Sequence, residues 1–527
     1  MSPDTPTDVE VDVLGVGFGP SNLALAIALS ERPGPPLRSL YCEAQPEPGW
    51  HAGMLLDGAS MQVSFLKDLV TFRNPNSPYS FVSFLHTKGR LADFTNRGVM
   101  EPLRVEFAAY LRWVAAAFAD QVQYATRVTR ISPVYGGARA IDAFDVAITS
   151  PPGDRIVRAR SVVVAAGLQP RLPEVFSAGD RCWHSSSHLH RVAALCGPSH
   201  LVVAGTGQSA VEIALDLNER HPDAVVHLVS SQFGPAPSFQ GPLVNAIFDP
   251  ETVDLLYGAD DEVRDRMDRL HRNTNNGTAS TEVIQELFDR IYRDRWLDRE
   301  RIVLHRASRI GSMTHGSRST EVVIQSDATR SEQTIAADAI VFATGYDPLD
   351  VSVLLGPHAS AVRRDTAGRP VIGRDHRAAL IAPGRAALVL IGQSQHLHGI
   401  STTLLSTVAV RAGEVAQLVA TTAAPQPQPH NPAPPTPSSG ASMPNLGPIT
   451  IDQARSLVAD LVPDDITQAS ADEDLRDYGL DSVRLLSVVE RVSDAGGHLV
   501  YSDVLGGTTL QTVAGALART QISEGAT

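Results

Sequence analysis

The 527-residue chain has 58 acidic against 44 basic side chains, a formal net charge of −14 and 43% hydrophobic residues. That balance excludes nucleic acid and an anionic membrane surface as partners, and the length gives about two to four domains with cores of their own. Cys42, Cys182 and Cys196 have no CxxC spacing, which excludes a disulfide framework and a thiolate metal centre. The start, Met1-Ser2-Pro3-Asp4, is polar and acidic and no apolar run reaches membrane-spanning length, so a cytoplasmic location is expected.

In chain order, the first element is a strand, glycine turn and helix over Val13 to Ala26. Gly15 is expected to allow a sharp turn and Gly17 a close approach of backbone to a pyrophosphate, while Gly19, Pro20, Ser21 and Asn22 open the helix whose free N–H groups face the phosphates. Pro20 stands where a third glycine is usual. A second apolar run, Leu40-Tyr41-Cys42, ends in Glu43, an acceptor suited to ribose hydroxyls.

A loop region follows: Trp50-His51-Ala52-Gly53-Met54, then Met61-Gln62-Val63-Ser64-Phe65-Leu66-Lys67-Asp68, Phe72-Arg73-Asn74-Pro75-Asn76-Ser77-Pro78-Tyr79, Lys88-Gly89-Arg90 and Glu106 to Val114. Over about residues 8–415 the chain resembles the L-ornithine N-monooxygenases of hydroxamate siderophore pathways. The resemblance implies that NADPH reduces FAD, that oxygen adds to give a flavin hydroperoxide, and that the terminal amine of the substrate attacks its distal oxygen. No protein nucleophile is then needed. The protein supplies a dry pocket and groups that aim the amine. By resemblance, Gln62 lies against the flavin and Lys67 pairs with the substrate carboxylate, where an ammonium with three donors is apt. The plainer alternative is a surface pair between Lys67 and Asp68.

Two buried-strand runs, Ser161 to Gly167 and Ala339 to Tyr346, resemble the points where such chains leave the FAD domain and return to it. Between them, His184 and His188 have the spacing of a metal pair, but no carboxylate or cysteine completes a site nearby, so no metal is expected. A second cradle, Gly205-Thr206-Gly207-Gln208-Ser209, follows the strand Leu201 to Ala204. Its next strand, Val225 to Val229, ends in Ser230-Ser231 without an acid to repel a 2′-phosphate, so NADPH is expected there and FAD at the first cradle. Asn245 and Asn275 match the family's two substrate loops; each can donate and accept, as a zwitterion requires, although turn asparagines would also fit. The family usually has an acid and a serine before Pro242 and a glutamate after the asparagine; here Gln240-Gly241 and Ala246 stand instead, which leaves the identity of the amine open. The run Gln395 to Ser406 resembles the closing motif, with His398, Gly399, Ile400 and Ser401 near the flavin and Ser401 also facing the substrate. A helix N-cap at Ser401 is equally compatible.

From Thr422 to Leu446 the composition turns to Pro, Ala, Gln and Ser, a linker pattern. Beyond it, Leu457, Val458 and Leu461, then Leu485, Val488, Val489 and Val492, have helical spacing, and a last helix is expected after Thr508-Thr509. Between them Asp477-Tyr478-Gly479-Leu480-Asp481-Ser482 resembles the attachment site of peptidyl and aryl carrier domains, with Ser482 bearing 4′-phosphopantetheine.

The expected architecture is α/β: a Rossmann-like FAD domain over residues 1–170 and 335–421, and a Rossmann-like NADPH domain inserted over 171–334 with a helical substrate lobe at about 235–300. A linker at 422–446 then leads to an all-α four-helix carrier at 447–523. The expected reaction is N-hydroxylation of the terminal amine of a diamino acid, L-ornithine first, then L-lysine, a shorter diamino acid, a diamine or a carrier-tethered amine. An inactive scaffold that only presents the carrier is the reading from another class. Expected partners are the amine and O2, a non-ribosomal peptide synthetase or adenylating enzyme, and a phosphopantetheinyl transferase. Self-association to a homo-oligomer stays open.

Overall fold

The first cradle's strand, Val9–Val16, pairs in parallel with Ser39–Cys42 on one side and Gly153–Val164 on the other. Its second half, Val13 to Val16, is buried and apolar without alternation, whereas the first half alternates Val9, Glu10, Val11 and Asp12 and is partly exposed. The computed structural model describes residues 9–238, 241–271, 274, 277–423, 450–459, 461–462, 466–467, 469–480, 484, 487–489, 491–492 and 508–523. It divides into two units, residues 1–426 and 427–527.

In the first unit the long strand Gly153–Val164 serves two neighbours on its edge away from Val9–Val16. Its first half pairs antiparallel with Ile141–Ser150, which pairs in turn with Arg127–Tyr135, while its second half pairs in parallel with Ala387–Leu390. Val122–Gln123 continues the sheet beyond Ser39–Cys42. Helices Pro20–Glu31 and Val408–Ala423 pack together beside this sheet, over a cluster that includes Phe81, Phe107 and Tyr110.

A second sheet holds five parallel strands in the order Ile302–His305, Val225–Val229, His200–Ala204, Ala339–Phe342 and Cys182–His184. All of them fall between the two stretches that build the first sheet. The chain passes from one sheet to the other along Leu168–Pro170 and comes back along Tyr346–Pro348, and these two crossing segments pair antiparallel. Among the described residues of the stretch 235–300 the helices are Pro242–Asn245, Pro250–Gly258, Asp261–His271 and Thr281–Trp296, the last of which packs on the second cradle's helix, Gln208–Arg220.

In the first cradle the two glycines have different reasons from those expected. Gly15 lies within the strand, opposite Tyr41, and a Cβ there would sit 2.3 Å from that ring. Gly17 makes the turn, at φ +84°, with its missing Cβ 2.7 Å from the Ala165 carbonyl oxygen. Asn22 pins this turn by donating to the carbonyls of Val16 and Gly17 at 3.3 and 2.6 Å.

In the second unit Thr450 and Gln453 form a capping box at the helix Ile451–Val458. The last helix is Leu510–Ser523, with Thr509 accepting from the Thr512 N–H at 3.1 Å. Ala454, Val458, Leu475, Val488, Val492, Leu510 and Val513 share one core, so the spaced apolar residues after the linker converge as helical periodicity predicts.

Between the two sheets of the first unit lies a buried ion pair. Arg104, at the start of helix Arg104–Ala116, donates in bidentate fashion to Glu212 of the second cradle's helix at 2.7 and 2.8 Å, and the Glu212 side chain is 6% exposed. Removing one partner strands a buried charge. Glu212→Ala is expected to destabilise this unit by about 3–5 kcal/mol, and Arg104→Met with Glu212→Met to recover much of that loss in calorimetric unfolding. A single variant that melts like the unmodified chain would show that the pair contributes nothing.

Candidate active site

Both cradles open onto one cavity of about 2390 Å³. From the first cradle it is lined by Gly17, Gly19, Pro20, Ser21 and Glu43, and from the second by Gly205, Thr206, Gly207, Gln208 and Ser209. Gly19 has φ −79° and nothing within 4 Å of where its Cβ would stand, so the backbone presents open space at the helix start. Gly205, at φ +155°, abuts the Ala343 carbonyl oxygen, 2.4 Å from its missing Cβ. Two glycine turns, each ahead of a helix N-terminus and open to a shared cavity, fit two dinucleotides.

Glu43 lines the cavity, and its carboxylate accepts the N–H groups of Phe18 and Gln45, both at 2.8 Å. It therefore ties the strand end to the glycine turn as well as offering an acceptor there. On the second cradle's side Ser231 lines the wall together with Ser308 and Arg309. Arg309 was not legible in the sequence, because it comes from a strand 78 positions after Ser231 and pairs with Asp327.

Gln62 also faces the cavity and is tied across to the second cradle. Its Nε2 donates to Gln208 Oε1 at 3.1 Å; the same oxygen accepts the Ser280 N–H at 2.7 Å, and Gln208 Nε2 donates to Glu212 Oε1 at 2.7 Å. The Arg104 pair thus fixes which way the Gln208 amide points, and through it the amide of Gln62. His51 lines the cavity with its side chain open to it, and the surrounding protein together with the Arg104 charge draws its imidazole below the ordinary value.

Lys67 and Asp68 do not pair. The Asp68 carboxylate is buried and accepts the N–H groups of Val70, Thr71 and Phe81 at 2.9, 2.7 and 2.7 Å and the Thr71 hydroxyl at 2.9 Å. Lys67 Nζ instead lies 5.9 Å from the centre of the Phe248 ring, and it forms no ion pair among the described residues. Phe248 and Asn245 line the cavity from the helical lobe, as does Thr274. Asn275 and Ser482 lie outside the described residues.

The closing motif contributes unequally. Thr402, Thr403, Leu404, Leu405 and Ser406 line the cavity. His398 is 1% exposed and turned inward: it bonds Ser394 Oγ at 2.7 Å, stacks on Tyr257 and meets His376 edge-on. Burial pushes its imidazole down to about 3, so it is a neutral packing group where the sequence suggested a neighbour of the flavin. Gly399 sits at φ +79°, a left-handed conformation that favours glycine. Ile400 and Ser401 are buried beside it.

His184 and His188 have separate partners. His184 bonds Ser186 Oγ and the Gly345 carbonyl at 3.1 Å each, and His188 bonds Asp216 at 2.8 Å. Among the described residues no group of three or more His, Cys, Asp or Glu is placed to hold a metal, and no helix is long and apolar enough to cross a membrane.

Two cradles on two sheets, one inserted in the other and sharing a cavity, define a two-dinucleotide flavoenzyme fold. The family model described as L-lysine 6-monooxygenase/L-ornithine 5-monooxygenase matches residues 10–348, and a phosphopantetheine attachment site matches residues 452–517. The L-ornithine N(5)-monooxygenase of Pseudomonas aeruginosa is 37% identical over 426 residues, 79% of this chain and 95% of its own length. Among solved structures, an ornithine N-hydroxylase of Kutzneria sp. 744, with reduced FAD, NADP+ and L-ornithine, superposes with a TM-score of 0.76 at 39% identity, over 79% of this chain and 99% of the other. The L-lysine 6-monooxygenase of Pseudomonas syringae gives 0.69 at 30% identity, over 78% and 99%. The chain belongs to the lysine/ornithine N-monooxygenase family and has a carrier domain at its C-terminal end.

Gly19→Val tests the first cradle. With open space around the site, apoprotein stability should change by no more than about 0.5 kcal/mol. The new side chain would occupy the pyrophosphate position and weaken FAD binding at least tenfold, ~1.4 kcal/mol, by flavin fluorescence titration. Undiminished binding would place the dinucleotide elsewhere.

Proposed function

We propose that this protein is an FAD- and NADPH-dependent N-hydroxylase of the side-chain amine of a free diamino acid, L-ornithine foremost. Its setting would be siderophore or related non-ribosomal peptide assembly in the cytoplasm. The observation that carries this reading is the family match over residues 10–348 together with a cavity onto which both cradles open. Bound FAD, once reduced by NADPH, supplies activated dioxygen. The chain's own residues do the rest. The first cradle holds the FAD pyrophosphate against Gly19 to Ser21, and the second holds NADPH, with Ser231 and Arg309 suited to a 2′-phosphate. Gln62, oriented through Gln208, meets the flavin. Lys67, with no carboxylate paired to it among the described residues, receives the substrate carboxylate, and Asn245 and Asn275 complete the zwitterion's contacts.

Replacing Lys67 by alanine should raise the ornithine KM by the equivalent of about 2–5 kcal/mol, with flavin reduction nearly intact. Putrescine, a diamine without the carboxylate, should lose far less. Equal losses for both amines would defeat the assignment of Lys67.

The carrier bears on the order of events. An amino acid thioesterified to a phosphopantetheine arm has no free carboxylate, so a lysine kept for that carboxylate favours hydroxylation before loading. We assign the arm to Ser482, with a phosphopantetheinyl transferase and an adenylating enzyme or peptide synthetase as partners. The competing reading, a pocket rebuilt for a tethered amine, is favoured by one feature, the neutral Gln240-Gly241 and Ala246 around Asn245. Ser482→Ala should hydroxylate free ornithine at the unmodified rate while losing all covalent loading, read by intact-protein mass spectrometry. Activity only on a charged carrier would reverse the order.

A further inference from the structure

The wall of the cavity contributed by the closing motif holds a buried cation with no direct ion pair among the described residues, the Glu414 charge acting on it only from a distance. Arg411 is 5% exposed and lines the cavity beside Thr402 to Ser406 and Val408. Its only hydrogen bond among the described residues runs from Nη1 to the Thr402 carbonyl oxygen at 2.7 Å, and no ion pair to it is present among them. The nearest acid in sequence, Glu414, is already committed to Arg374 at 2.9 and 3.1 Å and approaches His376 at 3.8 Å. Burial draws the Arg411 guanidinium down to about 10, so it stays charged at neutral pH. A buried cation satisfied by one carbonyl, with most of its five donors unused, is costly unless a ligand brings the matching charge.

The location narrows the ligand. The strand Ala387–Leu390 lies in the first sheet, beside the strand that leads into Ala165 and Ala166, and Ile391 and Gly392 at its end line the cavity. The chain then passes through Thr402 to Ser406 into the 16-residue helix Val408–Ala423, whose start borders the same cavity and whose first turns carry Arg411. The helix packs on the first cradle's helix, Pro20–Glu31. A helix N-terminus and a guanidinium therefore add their positive potentials on the FAD side of the cavity.

We propose that Arg411 is a positioning residue for the flavin's charge: it meets the pyrimidine edge of FAD and stabilises the negative charge that the flavin gains on reduction. This rests on the FAD assignment above. Hydride transfer from NADPH brings two electrons and one proton, leaving NADP+ and one net negative charge on the reduced flavin. Oxidised FAD has no such charge on its ring. Arg411 thus favours the reduced form over the oxidised one and draws hydride toward the flavin, without touching the amine.

The test uses the full-length holoenzyme and measures flavin reduction at equilibrium against a reference dye. Arg411→Met should lower the reduction equilibrium constant at least tenfold, ~30 mV for a two-electron couple, while Arg411→Lys, which keeps the charge, should remain within about threefold. In the unmodified holoenzyme the reduced FAD should keep its anionic absorption below the pH at which free reduced FAD takes up its proton, a readout that does not depend on any variant folding. A Met variant that binds FAD with an unmoved equilibrium, one that changes only ornithine affinity, or a bound reduced FAD that protonates like the free cofactor would each overturn the inference. Failure of the unmodified chain to bind FAD would overturn the FAD assignment, and this inference with it.

Discussion

Holding two dinucleotide cradles in register across one cavity is the constraint on which the rest of the first unit depends. The cradles belong to different sheets, and the backbone joins those sheets only through the paired segments Leu168–Pro170 and Tyr346–Pro348. Among the side chains that bridge the two halves, Arg104 and Glu212 form a buried bidentate pair. Its geometry matters more than its net energy, since attraction and desolvation nearly cancel in such pairs. What the pair imposes is direction: Glu212 takes the amide N–H of Gln208, Gln208 offers its oxygen to Ser280 and Gln62, and a side chain of the first half is thereby oriented from the second.

Much of this fold is legible in the sequence because it is local. A strand, a glycine turn and a helix occupy consecutive residues, and the positive φ of Gly17 and Gly205 belongs to that turn, although the carbonyls that crowd them, of Ala165 and Ala343, come from distant parts of the chain. The reason for Gly15 is not local, since the ring that excludes a Cβ belongs to Tyr41, 26 positions later. The same holds for Arg104 and Glu212, which are 108 positions apart with ordinary helical surroundings. Asp68 beside Lys67 reads as a surface pair, yet three backbone N–H groups claim the carboxylate first. His398, in a motif that reads as cofactor-facing, is captured by Ser394, Tyr257 and His376 once the chain is compact. One faint signal existed for Arg411: a charged residue on the buried side of the apolar helix Val408–Ala423.

Charge is distributed in and beside the cavity so that each chemical demand meets a different device, with Lys67 placed behind the cavity-lining Phe248. Helix N-termini and glycine backbone suit phosphates, a half-buried ammonium suits a carboxylate, and a buried guanidinium suits charge that appears only on reduction. The surrounding protein and Arg104 draw the His51 imidazole below its ordinary value, which disfavours a competing cation on this wall. Lys67 is held beside Phe248 and forms no ion pair among the described residues.

The central claim is that the chain inserts one oxygen atom from O2 into the side-chain nitrogen of a free amino acid. Turnover of L-ornithine with NADPH under 18O2, followed by mass spectrometry of the free amino acid and of the carrier, tests it most directly. The account predicts one 18O on the side-chain nitrogen of free ornithine, formed in step with NADPH consumed. NADPH oxidation that yields only peroxide with ornithine, or label found only on a carrier-bound amine, would contradict it.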